Sequence, residues 1–282
     1  MFAPSIFKIK WANIREMSSK SRIGQNFLND TQAVERIANA LGDLQERTVI
    51  EIGPGRGAIT RTLAARAKHV VAVELDEILA ALLQTEFPAD KLTVVRQDVL
   101  KFDLEEAATR YGGPLALAGN LPYYITSPIL LKLAESHRAL DTAILMVQRE
   151  VSERVTAQPG TRDYGLLSVT VQMYGPVQQL FVLPPEAFTP PPEVHSAVFR
   201  WRFAPRFAEL GVEEKSFLGL VKQAFAQKRK TLGNNLRAAG FSAGVIQAAM
   251  EQTGLSAQAR AETLSLEDFA LLAKALKVSE TV

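Results

Sequence analysis

Between about residue 31 and residue 157 the chain alternates short apolar runs, rich in Val and Ile, with stretches of helical spacing. That alternation constrains the fold more than any other feature. Thr48–Ile52, His69–Val73, Leu92–Val95, Leu115–Ala118 and Thr142–Val147 read as buried strands, with Ile59–Ala67 and Ile78–Glu86 among the helices between them. Strands apolar on both faces need helices on both sides of their sheet, so the pattern predicts an α/β fold with a parallel, doubly wound sheet. Val177–Leu183 and Val194–Phe203 add two strands around a Pro-rich turn. After about residue 212 the pattern changes. Phe217–Phe225, Val245–Glu251 and Leu266–Leu276 have helical periodicity, no convincing strand remains, and Gly233, Gly240 and Gly254 are expected as helix C-terminal stops. Three regions follow: an N-terminal extension over 1–20, expected to be disordered; a ligand-binding α/β domain over 21–210; and a small all-helical domain over 211–282.

The first strand runs into Glu51-Ile52-Gly53-Pro54-Gly55-Arg56-Gly57-Ala58. A glycine-rich turn between strand and helix lets backbone N–H groups approach a ligand at the helix N-terminus. Alone it is ambiguous, because Gly53, Gly55 and Ala58 also satisfy a dinucleotide-binding pattern. The other strand ends decide. Glu74 closes the second strand and can accept from both ribose hydroxyls of either cofactor. Asp98 closes the third, where it can accept from an adenine amino group. The fourth ends in Asn120-Leu121-Pro122-Tyr123. A dehydrogenase has no use for that tetrapeptide, whereas methyl transfer to an amino group does, so the expected cofactor is S-adenosylmethionine.

The chemistry explains the tetrapeptide. An adenine N6 lone pair is delocalised into its ring and is a poor nucleophile. Two fixed acceptors, the Asn120 side-chain oxygen and the Leu121 carbonyl, could each take one N6–H, aim the lone pair and favour the charge that develops on N6. Pro122 would stiffen the turn and Tyr123 would stack on a base taken out of its helix. No histidine is required as a prior base.

Charge points to the substrate. The net charge is only +2, yet from Lys215 to Met250 there are six basic residues (Lys215, Lys222, Lys228, Arg229, Lys230, Arg237) and no acid. Residues 1–28 carry five basic residues against Glu16 alone. A local basic face suits nucleic acid, though a solvated helix face is as common. The absence of cysteine excludes disulfides and Cys-ligated metals, and three scattered histidines make a zinc centre an unpromising reading, so no metal is expected. No apolar run approaches the roughly 20 residues of a membrane span. Residues 1–17 lack a secretory pattern and read as a late true start or a tail, so the chain is expected to be soluble and cytoplasmic.

With these motifs assembled, the chain resembles the ribosomal RNA adenine N6-dimethyltransferases of the KsgA (RsmA) type. Ile23-Gly24-Gln25-Asn26-Phe27-Leu28, Gly53–Gly57, Glu74, Asp98 and Asn120–Tyr123 match that family's motifs in order and spacing. So does Phe188-Thr189-Pro190-Pro191-Pro192-Glu193-Val194-His195-Ser196, and Asn234-Asn235-Leu236 resembles its C-terminal region. The resemblance implies a Rossmann-like methyltransferase sheet and cofactor binding by Asn26, Leu28, Gly53, Glu74, Asp98 and Asn120. It places Phe188 on the other face of the target adenine. By sequence alone, Phe27 and Leu28 would be a hydrophobic staple before a helix at Thr31. It further implies the substrate, two adjacent adenosines in the hairpin near the 3′ end of small-subunit (16S) RNA. Lys228, Arg229 and Lys230 are then expected to touch RNA, and the partner is an immature 30S subunit met by a monomer. The rivals are the erythromycin-resistance type, which modifies large-subunit RNA, and an assembly factor whose main task is occupancy. The Pro-rich block and the basic helical tail favour the small-subunit enzymes over the erythromycin-resistance type, whereas the assembly-factor role is compatible with the enzyme rather than exclusive of it.

Overall fold

The computed structural model describes residues 25–256 and 258–280. The expected extension over 1–20, with Lys8, Lys10 and Arg15, lies outside the described residues.

The chain opens on a two-residue strand, β1 (Phe27–Leu28), and α1 (Thr31–Ala40). A β/α alternation follows: β2 (Thr48–Ile52), α2 (Ala58–Arg66), β3 (His69–Glu74), α3 (Glu77–Glu86), β4 (Leu92–Arg96), α4 (Leu104–Tyr111), β5 (Leu115–Asn120), α5 (Thr126–Glu135), β6 (Leu140–Gln148). Then come α6 (Arg149–Thr156), α7 (Leu166–Met173), β7 (Val177–Leu183), β8 (Phe188–Thr189) and β9 (Ser196–Arg202). Helices α8 (Glu214–Ala224), α9 (Leu232–Ala238), α10 (Ala243–Thr253) and α11 (Leu266–Glu280) complete it.

The main sheet has seven strands in the order β4-β3-β2-β5-β6-β9-β7. Strands β4 through β6 pair in parallel, while β9 pairs antiparallel with both β6 and β7. Because the chain builds outward from β2 to β4 and then returns to lay β5 on the other side of β2, the sheet has a topological switch between β2 and β5. In such sheets ligands bind beyond the carboxyl ends of the strands at that point.

Side-chain alternation along the strands splits the apolar residues between two cores. Val49 joins one with Ile37 of α1, Leu63 of α2 and Leu83 of α3. Ile50 and Ile52 join the other with Leu104 of α4 and Ile129 and Leu133 of α5. The second core runs on without a break through Tyr174 and Phe207 to Phe217 of α8 and Phe269 of α11. The helical region thus packs directly on the α/β region; Tyr174 Oη also donates to Glu214 (2.6 Å), and Tyr164 Oη to the Leu264 carbonyl (2.9 Å).

Two expectations about local structure change. Gly240 and Gly254 do end helices, with φ of 104° and 68°. Gly233, expected as a stop, instead lies inside α9, where an added Cβ would already touch Met250 and Ile246 at 3.5 and 3.7 Å. Phe27 and Leu28 form β1, antiparallel to β8, rather than only a staple.

Candidate functional site

Beyond the switch point lies a cleft with about 1250 Å³ of empty space, its open mouth included. Its walls come from five places along the chain: residues 25–28, the turn after β2, the ends of β3 and β4, and the segment after β5.

The turn after β2 is glycine-rich because its backbone is left-handed. Gly53 and Gly55 have φ of 63° and 57°, where a Cβ is strained. At Gly55 a Cβ would also lie 3.0 Å from the Phe27 ring. The turn delivers the Gly55 amide to Glu74, whose Oε2 accepts from it at 3.0 Å. Glu74 Oε1 accepts from the Asp76 amide at 2.9 Å. Asp76 in turn caps α3 by accepting from the amides of Ile78 and Leu79. Burial raises the Glu74 pKa above the ordinary carboxylate value, and those backbone hydrogen bonds oppose the shift. The carboxylate is thereby fixed in place, and each of its oxygens keeps lone-pair capacity for another donor.

Asp98 lines the same cleft beyond β4. It is also a turn residue: Oδ1 accepts from the Leu100 amide at 2.9 Å. Asn26 and the buried Leu28 also line it, Leu28 on the strap formed by β1 and β8 and Asn26 just before that strap.

Asn120 closes β5. Its Nδ2 donates to the Asn26 carbonyl at 3.0 Å. A carbonyl can only accept, so this bond determines which end of the amide is which and leaves Oδ1 as the acceptor end. Leu121 is pinned by its amide, which donates to the Met146 carbonyl at 2.9 Å. Tyr123 sits in a short turn of 3₁₀ helix, and its hydroxyl is 2.7 Å from Ser196 Oγ at the start of β9. Burial raises that phenol's pKa. Asn120, Leu121, Pro122, Tyr123 and Tyr124 all line the cleft, and Tyr124 is 63% exposed.

The structure thus brings Asn26, Leu28, Gly53, Glu74, Asp98, Asn120, Leu121 and Tyr123 to one cleft. It does not bring Phe188 there. That ring is 2% exposed and belongs to the core with Leu28, Leu183 and Ala187, because β8 is drawn inward by its pairing with β1. Lys228, Arg229 and Lys230 are exposed in the loop between α8 and α9, away from the cleft lining. Asn235 Nδ2 donates to the Ala224 and Gln227 carbonyls, and Arg260 to that of Lys228, so the loop's backbone is tied down. Glu51, assigned no role from the sequence, is a further member of the cleft. Its signal was a carboxylate inside an otherwise apolar buried strand. Among the described residues no group of three or more His, Cys, Asp or Glu side chains is placed to hold a metal, and no helix is long and apolar enough to cross a membrane.

A family model described as ribosomal RNA adenine dimethylase matches residues 16–277. The chain is 52% identical over 259 residues to the ribosomal RNA small subunit methyltransferase A of Acidobacterium capsulatum, covering 92% of this chain and 91% of that protein. It is 46% identical over 272 residues to the protein of that name from Koribacter versatilis, covering 92% and 95%. Among solved structures, a dimethyladenosine transferase from Plasmodium falciparum superposes with a TM-score of 0.75 at 23% identity, over 90% of this chain and 98% of that one. The 23S rRNA methyltransferase ErmE does so with a TM-score of 0.69 at 26% identity, over 89% and 100%.

Proposed function

The chain belongs to the ribosomal RNA adenine dimethylase family, and from that premise we propose that it transfers methyl groups from S-adenosylmethionine to N6 of two adjacent adenosines. They lie in the 3′-terminal hairpin of small-subunit (16S) ribosomal RNA. The enzyme acts in the cytoplasm, as a monomer, on an immature 30S subunit, where its action contributes to small-subunit biogenesis.

The cleft fits the cofactor on its own terms. Gly53 and Gly55, left-handed and without Cβ atoms, put bare backbone on the wall of the cleft. The Glu74 carboxylate, fixed by two amides, suits a pair of ribose hydroxyls, and Asp98 with one oxygen in a turn keeps the other for an adenine amine. Asn26, Leu28 and Gly53 complete the lining. The cofactor supplies an electrophilic methyl group on a sulfonium.

The observation that carries the catalytic reading is the Asn120–Asn26 hydrogen bond. By holding the amide nitrogen, it commits Asn120 Oδ1 to accepting. With the Leu121 carbonyl, that oxygen takes the N6 hydrogens, turns the nitrogen lone pair toward the methyl and stabilises the positive charge that builds on N6. Once N6 has bonded to carbon, its proton is acidic and passes to water, so no strong base is needed. Tyr123, anchored through Ser196, offers its ring to the base. Lys228, Arg229 and Lys230 meet RNA phosphates. The likeness to ErmE marks a relative that shares this architecture; the relatives named for the small subunit are far more similar in sequence.

The test is to incubate the protein with labelled S-adenosylmethionine and undermethylated 30S subunits, then map the label. Label on adjacent adenosines near the 3′ end of the small-subunit RNA is expected. Label confined to 23S RNA when 50S subunits are offered in parallel would overturn the substrate.

A further inference from the structure

Of the large apolar side chains exposed among the described residues, Tyr124 is the most exposed, at 63%, and it stands on the lining of the cleft. The mechanism above leaves it without a role. Its neighbours show why it is turned outward. Tyr123, Tyr124 and Ile125 make one turn of 3₁₀ helix, in which consecutive side chains point about 120° apart. Tyr123 is committed by the bond between its hydroxyl and Ser196 Oγ, and Ile125 packs against the core. Tyr124 takes the third direction, toward solvent. The turn beneath it is firm. The Pro122 carbonyl accepts from the Ile125 amide at 3.2 Å and from Thr126 Oγ1 at 3.0 Å, and the Pro122 ring fixes its own φ. A ring held on such a base loses little freedom when something stacks on it. Because Tyr123 and Tyr124 diverge, they do not share one base.

We propose that Tyr124 stacks on the nucleobase adjoining the one in the cleft, and so positions one of the two adjacent adenosines while the other is methylated. The inference rests on the substrate reading above. Drawing one adenosine into the cleft removes a stacking partner from the next, which is left at the mouth with a face exposed to water. An aromatic platform there recovers part of that loss; such stacking is worth about 5- to 100-fold in binding per base. An RNA strand crosses the mouth with one polarity. The neighbouring base therefore lies on the Tyr124 side when one of the two adenosines is in the cleft, and on the far side when the other is.

Small subunits reconstituted with 16S RNA, either intact or with an abasic nucleotide in place of one adenosine or the other, provide the test. Single-turnover methylation at each position is measured against subunit concentration. Tyr124→Ala is expected to raise the half-saturating concentration of intact subunits about tenfold for one adenosine, with the rate at saturation little changed, and to spare the other adenosine. Tyr124→Phe keeps the ring and should match the unaltered protein. An abasic neighbour should impose the same loss on the unaltered protein and no further loss on Tyr124→Ala. Three results would each overturn the inference and leave the substrate reading intact: no loss in Tyr124→Ala, an equal loss at both adenosines, or full addition of the protein and RNA losses. Absence of transfer to intact subunits by the unaltered protein would overturn both.

Discussion

The cleft and the basic stretch of the helical region handle charge in opposite ways. In the cleft the polar groups are few, largely buried and gripped by backbone: Glu74 by the amides of Gly55 and Asp76, Asn120 by the carbonyl of Asn26. Between α8 and α9 the charges are many and exposed, and only the backbone beneath them is tied down. A buried charge acts strongly on a few atoms and tolerates little displacement. An exposed one is screened beyond about 8–10 Å at physiological salt. The first arrangement suits one small ligand in one pose; the second suits a polyanion that can be met in many.

The largest effect expected from breaking this contrast is at Asn120. Asn120→Ala should slow methyl transfer about 100- to 1000-fold at saturating cofactor, comparable to losing one preorganised donor or acceptor at a charge-developing centre. Single-turnover rates check it, with cofactor affinity measured alongside.

Glu51 sharpens the comparison through stability. Its folded pKa of about 7 lies above the ordinary 4.5, so its favourable contribution is complete below pH 4.5 and is lost as pH rises through 7. Without cofactor, Glu51→Gln should therefore gain stability relative to the unaltered protein between those limits, by at most about 3 kcal/mol at pH 8. Denaturant unfolding of both proteins at pH 5 and pH 8 measures the gap, and parallel curves would count against it.

Glu74→Ala should weaken S-adenosylmethionine binding by about 1–3 kcal/mol, the range for hydrogen bonds to a charged acceptor. Calorimetry reads this directly; unchanged affinity would remove Glu74 from the ribose role.

The smallest energetic effect belongs to the exposed region. Replacing Lys228, Arg229 and Lys230 together by Gln should leave cofactor affinity unchanged. It should lower the slope of log affinity for 30S subunits against log salt by up to about three. An unaltered slope would mean that this loop is merely solvated.

How much of this was legible in the sequence follows from the range of the interactions. The strands from Thr48 to Gln148 were readable because a strand buried on both faces must be apolar throughout, and Val and Ile runs say so locally. Val177–Leu183 was found with its bounds intact. The strap of β1 and β8 was not readable, since two-residue strands about 160 residues apart leave no local pattern. Phe188 was expected beside the base because its Pro-rich block resembles the family's, and only the pairing of β1 with β8 shows the ring turned into the core. Gly233 was taken as a stop because glycine commonly ends helices, and its place against Met250 and Ile246 depends on how α9 meets α10. In the cleft, residue types at strand ends were legible, but their partners were not. The Asn26 carbonyl that orients Asn120 lies 94 residues away.

The claim on which the rest depends is that Asn120 and Leu121 present two acceptors to one amine. The most direct measurement is the position of N6 in a crystal of this protein with S-adenosylhomocysteine and a short RNA hairpin carrying the adjacent adenosines. N6 is expected within about 3 Å of both Asn120 Oδ1 and the Leu121 carbonyl, with the base against Tyr123. An adenine seated in the cleft with N6 away from both oxygens would contradict the account.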